Sequence, residues 1–283
     1  MADENIPGRT AMKDKVRTRD FREKKHRGEK IAMLTAYDAN MARLLDRAGV
    51  DAILVGDSVG MVVLGFETTV PVTLDAMIHH TAAVSRGTER ALIVADMPFL
   101  TYETTTADAV RNAGRLMQEG GAEAVKVEGG SAILDAVKRL VDVGIPVMGH
   151  LGLLPQSVHR VGGFLRQATT PRTADILLAD ALALEEAGAF AIVLEAIPSD
   201  VARTVTEALS IATIGIGAGP DCDGQVLVTN DMIGLFDGPV PSFVKQYAHV
   251  AETVTASVQA YVEDVRSGRY ARPAAAKTPT PTT

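Results

Sequence analysis

Short apolar runs alternate with amphipathic segments along most of the chain. The runs are brief and carry few polar positions, as strands buried on both faces of a parallel sheet do. Eight of them are predicted as strands, at 31–36, 52–55, 91–95, 122–127, 146–149, 190–194, 212–216 and 225–228. Because an amphipathic helix separates most of them, the pattern predicts an α/β fold of the (β/α)8 TIM-barrel type. An open doubly wound sheet is the alternative, although such a sheet would usually have fewer strands.

The segments between the runs have apolar residues at helical spacing, and several end at glycine. They predict helices at 40–48, 74–85, 106–119, 131–143, 173–187 and 200–209, and a last helix within 241–267. The charged segment 13–30 predicts a further helix over one end of the domain, ended by Gly28. Its mixed charges favour a solvated face over a phosphate or nucleic-acid contact. The loop 151–172 is long enough that we expect it to be functional or disordered.

The two ends of the chain differ in composition from its centre. Residues 1–12 are predicted to be a flexible N-terminus, and the proline-rich segment 267–283 a disordered tail. Residues 13–266 are predicted to form a single catalytic barrel domain, with the N-terminal helical segment included.

Composition limits the possible partners and the compartment. The chain has 283 residues and a net charge of −7, which argues against a nucleic-acid partner. No apolar run reaches the roughly 18 residues that would cross a bilayer, so no membrane association is expected. Its single cysteine, Cys222, cannot form an intrachain disulfide. A cytoplasmic location is therefore the simplest expectation.

The second apolar run ends in Gly56-Asp57-Ser58, a carboxylate and a hydroxyl directly after glycine. In parallel α/β folds, ligands bind beyond the carboxyl ends of the strands, so this turn is a candidate site. Asp57 could equally cap the helix that follows, since Asp and Ser are common N-cap residues. This turn alone does not decide between the two interpretations.

The next four strands also end in ionisable residues. Asp96 ends the third strand, and Lys126 and Glu128 lie two positions apart in the fourth, so both point to one side. The fifth strand ends at His150 and the sixth at Glu195. Helix capping does not explain the series, because Lys and His are unfavourable at a helix N-terminus. We therefore predict that these residues meet at the mouth of the barrel.

Three carboxylates at one mouth would repel each other unless a cation is present. Asp57, Asp96 and Glu128 offer hard oxygen ligands without a competing Cys or His cluster, which favours Mg²⁺ over Zn²⁺. Ligation could be direct or partly through water. The alternative is a network of strand-end side chains that only stabilises the barrel.

The remaining residues of the series suit substrate chemistry. Lys126 could meet the carboxylate or enolate oxygen of an anionic substrate, or form an internal salt bridge. Glu195 follows an apolar strand and suits a general base, although a structural role remains open. His150 either faces substrate or supports its neighbours by hydrogen bonds. The glycine run 215–219 more often reflects close backbone approach than phosphate binding.

Several motifs in this order resemble one family, ketopantoate hydroxymethyltransferase, over about residues 11–270. They are TAYD at 35–38, VGDS at 55–58, ADMPF at 95–99, KVEGG at 126–130, GHLGL at 149–153, PQSV at 155–158, VLE at 193–195 and GIGAG at 215–219. The resemblance implies a (β/α)8 barrel that assembles as a homodecamer. It also implies transfer of a hydroxymethyl group from 5,10-methylenetetrahydrofolate, as co-substrate, to 3-methyl-2-oxobutanoate, giving 2-dehydropantoate in pantothenate synthesis.

Motif by motif, the resemblance also implies roles for individual residues. Asp57, Asp96 and Glu128 resemble the Mg²⁺ group. Asp57, Ser58, Asp96 and Lys126 resemble the contacts to the oxo acid, and Glu195 resembles the proton acceptor.

One stretch departs from the family pattern. Where the family has Val-Gln-Gly-Arg, this chain has RQAT at 166–169, which lacks the glycine and the arginine after it. We expect any consequence in loop closure or folate contact.

Two alternatives to this activity are compatible with the sequence. One is a Mg²⁺-dependent 2-oxo acid C–C lyase or mutase of the phosphoenolpyruvate mutase/isocitrate lyase type. The loop 151–172 has no cysteine, a residue typical of those lyases. The other is an inactive barrel that serves as a binding or scaffold protein, in which some site positions should be lost.

Overall fold

A computed structural model describes residues 15–270. Eight parallel strands close into a barrel in sequence order, and the last strand pairs with the first. The strands are β1 Ile31–Thr35, β2 Ala52–Val55, β3 Leu92–Asp96, β4 Ala124–Glu128, β5 Val147–Gly152, β6 Ala191–Glu195, β7 Ala212–Ile216 and β8 Gly224–Leu227. The predicted (β/α)8 fold class is thus confirmed. The predictions for residues 1–12 and for the tail beyond residue 270 lie outside the described residues, and the domain bounds stay predictions.

Helices follow most of the strands, close to where periodicity predicts them. They are α1 Thr18–Arg27, α2 Ala39–Ala48, α3 Val59–Val62, α4 Leu74–Gly87, α5 Thr106–Gln118, α6 Leu134–Asp142, α7 Val158–Val161, α8 Pro171–Glu186, α9 Ser199–Ala208, α10 Thr229–Met232 and α11 Val250–Arg266. Short 3₁₀ turns at Ser131–Ile133 and Pro155–Ser157 precede α6 and α7. The four-residue helices α3, α7 and α10 are too short for a periodic pattern to reveal them.

Two predictions around the fifth strand need correction. The strand was expected to end at His150, but β5 continues to Gly152, because Leu151 and Gly152 still pair with Leu194 and Glu195 of β6. The loop 151–172 is also not structureless, since it contains the Pro155–Ser157 turn and α7. Helix α8 begins at Pro171, two residues earlier than expected, because the Thr170 side chain caps it.

The barrel has an inner and an outer apolar layer, as the alternation of side chains along each strand requires. The outer layer packs the strands against the helices. The inner layer consists of Ile31, Met33, Ala52, Leu54, Leu92, Val94, Ala124, Met148, Ala191, Val193, Ala212, Ile214 and Val226, with Val16 and Phe21. In each of the strands β3 to β6, the residue two positions after the last apolar inner residue has an ionisable side chain.

Helix α1 closes one end of the inner layer. Phe21 is fully buried and meets Phe190, just before β6, edge to face at 5.4 Å. The helix ends at Gly28, which adopts φ 67°, as predicted from the glycine.

The basic face of α1 is less solvated than expected. Lys24 lies 3.0 Å from Asp51 and Lys25 lies 2.9 Å from Asp223, and the two lysine side chains are 21% and 14% exposed. Their acidic partners directly precede β2 and β8. These charges therefore tie the helix to the amino-terminal ends of the strands.

Among the described residues, 230–270 form a second compact unit. Its main element is α11, in which no residue is buried. Within residues 15–270, no helix is long and apolar enough to cross a membrane.

Candidate active site

The structure brings the predicted strand-end residues together. Asp96, Lys126, Glu128 and His150 end or lie within β3, β4 and β5 and are buried, and Glu195 at the end of β6 has a side chain that is 15% exposed. The strand register places Lys126 beside Asp96 and His150 beside Glu128. The carboxyl ends of neighbouring parallel strands therefore form one polar cluster, as the spacing predicts.

Asp57 belongs to this cluster and does not cap a helix. Helix α3 begins after Ser58 without a side-chain cap. The Asp57 carboxylate instead accepts a hydrogen bond from Gln156 Nε2 at 2.8 Å, and the Asp57 backbone N–H donates to Asp96 Oδ2 at 3.0 Å. The structure thus removes the capping interpretation that the sequence left open.

Ser58 is held beside Asp57 by a second contact. Its Oγ lies 2.8 Å from the hydroxyl oxygen of the buried Tyr37, and either oxygen can be the donor. A Cβ at Gly56 would lie 2.7 Å from Ser58 Oγ. A side chain at position 56 would therefore displace the Ser58 hydroxyl from its present place.

Lys126 lies at the centre of the cluster. Its Nζ is 3.1 Å from Asp96 Oδ1 and 4.0 Å from Glu128 Oε1. Burial lowers the pKa of Lys126, but the carboxylates of Asp96, Glu128 and Asp57 raise it above its ordinary value. Lys126 is therefore a permanent buried cation.

The carboxylates outnumber this single ammonium. Burial raises the pKa of Asp57 well above its ordinary value, and the charges of Asp96 and Glu128 raise it further. Burial also raises the pKa of Asp96, against the effect of Lys126. Two buried oxygens, Asp96 Oδ1 and Glu128 Oε1, accept no well-aligned hydrogen bond from the described residues and have only the ion-pair contacts to Lys126 and His150. The cluster thus has an excess of negative charge and two acceptor atoms without a well-aligned hydrogen bond.

These donors fit a hard divalent cation in their chemistry, because all are carboxylate oxygens. As arranged, no group of three or more His, Cys, Asp or Glu side chains among residues 15–270 could hold a metal ion. The Lys126 ammonium lies among the carboxylates instead. A cation would therefore need small side-chain shifts or bridging water.

His150 connects the cluster to Glu195. Its Nδ1 is 3.1 Å from Lys126 Nζ and 3.5 Å from Glu128 Oε1, so in the neutral ring it can accept from the ammonium. Burial and the Lys126 charge lower the pKa of His150, and the carboxylates of Glu128 and Glu195 raise it above its ordinary value. A ring that accepts at Nδ1 carries its hydrogen on Nε2, and a proton added to Nδ1 would face both the ammonium and the Glu128 carboxylate. The Nε2 atom faces Glu195 Oε2 at 3.1 Å.

Two further residues of the site were missed by the strand-end argument. Gln156 lies in the turn after β5 and Tyr102 follows β3, and both are buried with hydrogen bonds into the cluster. The only signal for Gln156 was its place in the PQSV motif at 155–158, and Tyr102 had none.

The glycine run 215–219 shows the close backbone approach that was expected. Gly219 has φ 83°, and a Cβ there would lie 2.4 Å from the Ser199 Cβ at the start of α9. The run therefore allows β7 to turn tightly against α9.

The stretch that departs from the family pattern lies against the end of β6. The Gln167 N–H donates to the Ala196 carbonyl oxygen at 2.9 Å, and Arg166 Nη2 donates to that of Ile197 at 3.1 Å. Ala168 in this stretch adopts φ 53°. The loop thus makes a left-handed turn at a non-glycine residue.

Comparison with known proteins agrees with this arrangement. The sequence model of the ketopantoate hydroxymethyltransferase family matches residues 15–273. The 3-methyl-2-oxobutanoate hydroxymethyltransferase of Moorella thermoacetica is 56% identical over 260 residues, which are 92% of this chain and 97% of that protein. The enzyme of the same name from Syntrophus aciditrophicus is 54% identical over 256 residues, which are 90% of this chain and 94% of that protein.

Solved structures share the fold at low sequence identity. A phosphonopyruvate hydrolase in complex with oxalate and Mg²⁺ is 12% identical with a TM-score of 0.60, and 93% of this chain and 91% of that one are covered. A 2,3-dimethylmalate lyase of the phosphoenolpyruvate mutase/isocitrate lyase superfamily is 17% identical with a TM-score of 0.55, covering 93% and 92%. These similarities concern the fold alone. The sequence comparisons determine the family: the chain belongs to the ketopantoate hydroxymethyltransferase family.

Proposed function

We propose that this protein transfers a hydroxymethyl group from 5,10-methylenetetrahydrofolate to 3-methyl-2-oxobutanoate and so forms 2-dehydropantoate. Membership of the family supports the proposal, and the relatives that are 54–56% identical carry the name of this activity. The observation that carries it is the polar cluster itself, in which every predicted metal, lysine and base position is filled. An inactive scaffold protein gives no reason to retain such a cluster.

Asp57, Ser58, Asp96 and Lys126 are proposed to bind the oxo acid. The Lys126 ammonium attracts the anionic substrate and stabilises the negative charge that develops on the oxo oxygen when the enolate forms. Ser58, oriented by Tyr37, can donate to a substrate oxygen. The burial of these groups strengthens each contact, because little water competes.

Mg²⁺ is proposed to bind Asp57, Asp96 and Glu128, either directly or through water. Support comes from the excess of carboxylates over ammonium and from the two oxygens that accept no well-aligned hydrogen bond. When bound, Mg²⁺ would supply Lewis-acid chemistry that makes the C3–H of the oxo acid more acidic.

Glu195 is proposed to be the base that removes the C3 proton. It is the most exposed of the ionisable strand-end residues, and the His150 ring faces one of its oxygens at 3.1 Å. That distance is an ion-pair contact, and it leaves the other oxygen available to accept a proton. The carbanion equivalent then forms a C–C bond to the methylene carbon of the folate. Both C–N bonds of that carbon break, water supplies the hydroxyl group of the product, and the two folate nitrogens take up the C3 proton and one proton from water.

The substitution Glu195→Gln tests this role. We expect deuterium exchange at C3 of 3-methyl-2-oxobutanoate to fall by about 10²–10⁴-fold, the usual contribution of a general base, while oxo-acid binding stays nearly intact. Glu186→Gln on the exposed face of α8 is the matched control and should exchange normally. Exchange at the wild-type rate in Glu195→Gln would mean that another residue is the base.

The overall reaction needs its own test. The protein, incubated with both substrates and Mg²⁺, should form 2-dehydropantoate, and a chelator should stop the reaction. Absence of product with Mg²⁺ present would refute the proposed activity. The lyase or mutase alternative gains no support beyond a shared fold, because those structures are only 12% and 17% identical.

A homodecameric assembly and a cytoplasmic location belong to the same proposal. Support for the decamer comes from the resemblance to the family, and support for the compartment comes from the single cysteine. Sedimentation of the purified protein tests the assembly directly.

A further inference from the structure

Gln156 crosses the mouth of the barrel and contacts three of its strands or their loops. The residue is only 6% exposed and lies in the 3₁₀ turn after β5. Its Nε2 donates to Asp57 Oδ2 at 2.8 Å and to the Met97 carbonyl oxygen at 3.0 Å, and its backbone N–H donates to Glu128 Oε2 at 3.0 Å. One residue thus holds two of the proposed cation-binding carboxylates.

The orientation of the Gln156 amide is determined by its surroundings. Both partners of Nε2 are pure acceptors when Asp57 is ionised, so the amide nitrogen must be on that side. On the other side, the Tyr102 hydroxyl lies 3.0 Å from Gln156 Oε1. The same hydroxyl accepts from the Glu128 backbone N–H at 3.0 Å. The Tyr102 hydroxyl hydrogen has a second acceptor at 3.0 Å, the Glu128 carbonyl oxygen. The Met97 carbonyl, which can only accept, therefore fixes the side of the amide nitrogen.

These contacts affect the carboxylates of Asp57, Asp96 and Glu128 in the same way. In each, one oxygen is held by an N–H group: Gln156 holds those of Asp57 and Glu128, and the Asp57 backbone holds Asp96 Oδ2. The second oxygens of Asp96 and Glu128 then accept no well-aligned hydrogen bond, and both lie within 4.0 Å of Lys126 Nζ. Holding one oxygen of a carboxylate sets the direction of the other.

We infer that Gln156 is a positioning residue that orients Asp57 and Glu128 for a divalent cation. This inference rests on the proposed cation site. Groups that orient metal ligands by hydrogen bonding typically change metal affinity by about 10–100-fold when they are lost. The Gln156 side chain contacts Asp57. Its loss should therefore weaken cation binding, and it should slow the reaction only through that weaker binding.

Gln156→Met tests the inference, because methionine is similar in length and has no hydrogen-bonding amide. Gln118→Met, at an exposed position of α5, is the matched control. Mn²⁺ serves as the probe, and its binding to the metal-free full chain is measured by electron paramagnetic resonance and calorimetry. We expect Gln156→Met to bind Mn²⁺ about 10–100-fold more weakly than wild type. The Gln118→Met protein should bind like wild type.

A second measurement separates positioning from a merely structural role. If Gln156 acts through cation affinity, the rate of C3 proton exchange in Gln156→Met should approach the wild-type rate when Mg²⁺ is raised in proportion. A lower melting temperature with unchanged Mn²⁺ affinity would overturn the inference. So would a loss of exchange that no Mg²⁺ concentration restores.

Two further arms keep the test decisive. If Gln156→Met does not fold, Gln156→Asn carries the same expectation, because its shorter amide cannot reach Asp57 and Tyr102 together. If wild type exchanges the C3 proton but binds no Mn²⁺, the cation site is refuted and this inference with it. If wild type binds Mn²⁺ and Gln156→Met binds it equally well, only the inference about Gln156 is refuted.

Discussion

Lys126 neutralises part of the buried negative charge, so its removal should destabilise the metal-free protein strongly. Its side chain is 4% exposed and its Nζ lies 3.1 Å from Asp96 Oδ1. Lys126→Met keeps most of the volume but leaves Asp57, Asp96 and Glu128 without a cation. Removing one partner of a buried ion pair lowers the free energy of unfolding by about 3–5 kcal/mol. We expect a loss of that size at pH 8.

The loss should depend on pH in a definite direction. The pKa values of Asp57 and Asp96 are already raised, mainly by burial, and removing Lys126 would raise them further. A carboxyl group whose pKa is raised in the folded state contributes stability at low pH that disappears as the pH rises through that pKa. The difference between wild type and Lys126→Met should therefore be smaller at pH 5 than at pH 8.

Urea unfolding of chelator-treated protein measures both effects. Asp96→Asn supplies the control, because it removes one of the charges that Lys126 balances. The double variant Lys126→Met/Asp96→Asn should be more stable than the sum of the single effects predicts, by about 0.5–3 kcal/mol, the usual range for contacting residues. A loss below about 1 kcal/mol in Lys126→Met, equal at both pH values, would refute the role of Lys126 in charge balance.

Two further predictions concern residues outside the cluster. Ala168 adopts a left-handed backbone conformation, which costs a non-glycine residue about 1–2 kcal/mol. Replacing Ala168 with glycine removes this cost, but it adds the backbone flexibility of glycine and the loss of a buried methyl group, which together are of similar size. Ala168→Gly should thus be nearly neutral in urea unfolding, while Ala181→Gly in the buried face of α8 should lose about 2 kcal/mol, and equal losses would contradict the strain. Burial raises the pKa of Asp231 from 3.8 to about 6, so ionising it penalises the folded state as the pH rises through that range. Asp231→Asn should stabilise the protein by about 1–2 kcal/mol at pH 8 and not at pH 3.5, and a gain that is equal at both would refute this.

Local pattern predicts the existence of all eight strands, but the bounds of only some of them. β2 and β7 have the bounds that their apolar runs predict. β5 was predicted too short because Gly149-His150 looks like a strand end, whereas pairing with β6 carries the backbone on to Gly152. That pairing is a tertiary contact, and a single strand's sequence does not contain it.

The same distinction separates the site residues that were predicted from those that were missed. Asp96, Lys126, Glu128, His150 and Glu195 could be predicted because a two-residue alternation and parallel strands bring strand ends together. Gln156 follows no such rule, since its side chain bonds Asp57, which lies 99 residues earlier. A polar residue in a turn is usually exposed, and only the folded chain shows that this one is buried. Motif resemblance marked its position without a physical reason.

The composition of the cluster also decides between stabilisation and function. A network that only stabilised the barrel would pair its charges, and well-packed apolar residues would serve as well or better. Here one ammonium faces three buried carboxylates, and Asp96 Oδ1 and Glu128 Oε1 accept no well-aligned hydrogen bond. Such an arrangement lowers stability unless a ligand adds positive charge or donors. The strained residues nearby, Ala168 and Ala196 with φ 53° and 48°, add a further penalty beside Glu195. Burial, excess charge and strain at one place therefore favour a binding role over a purely structural one.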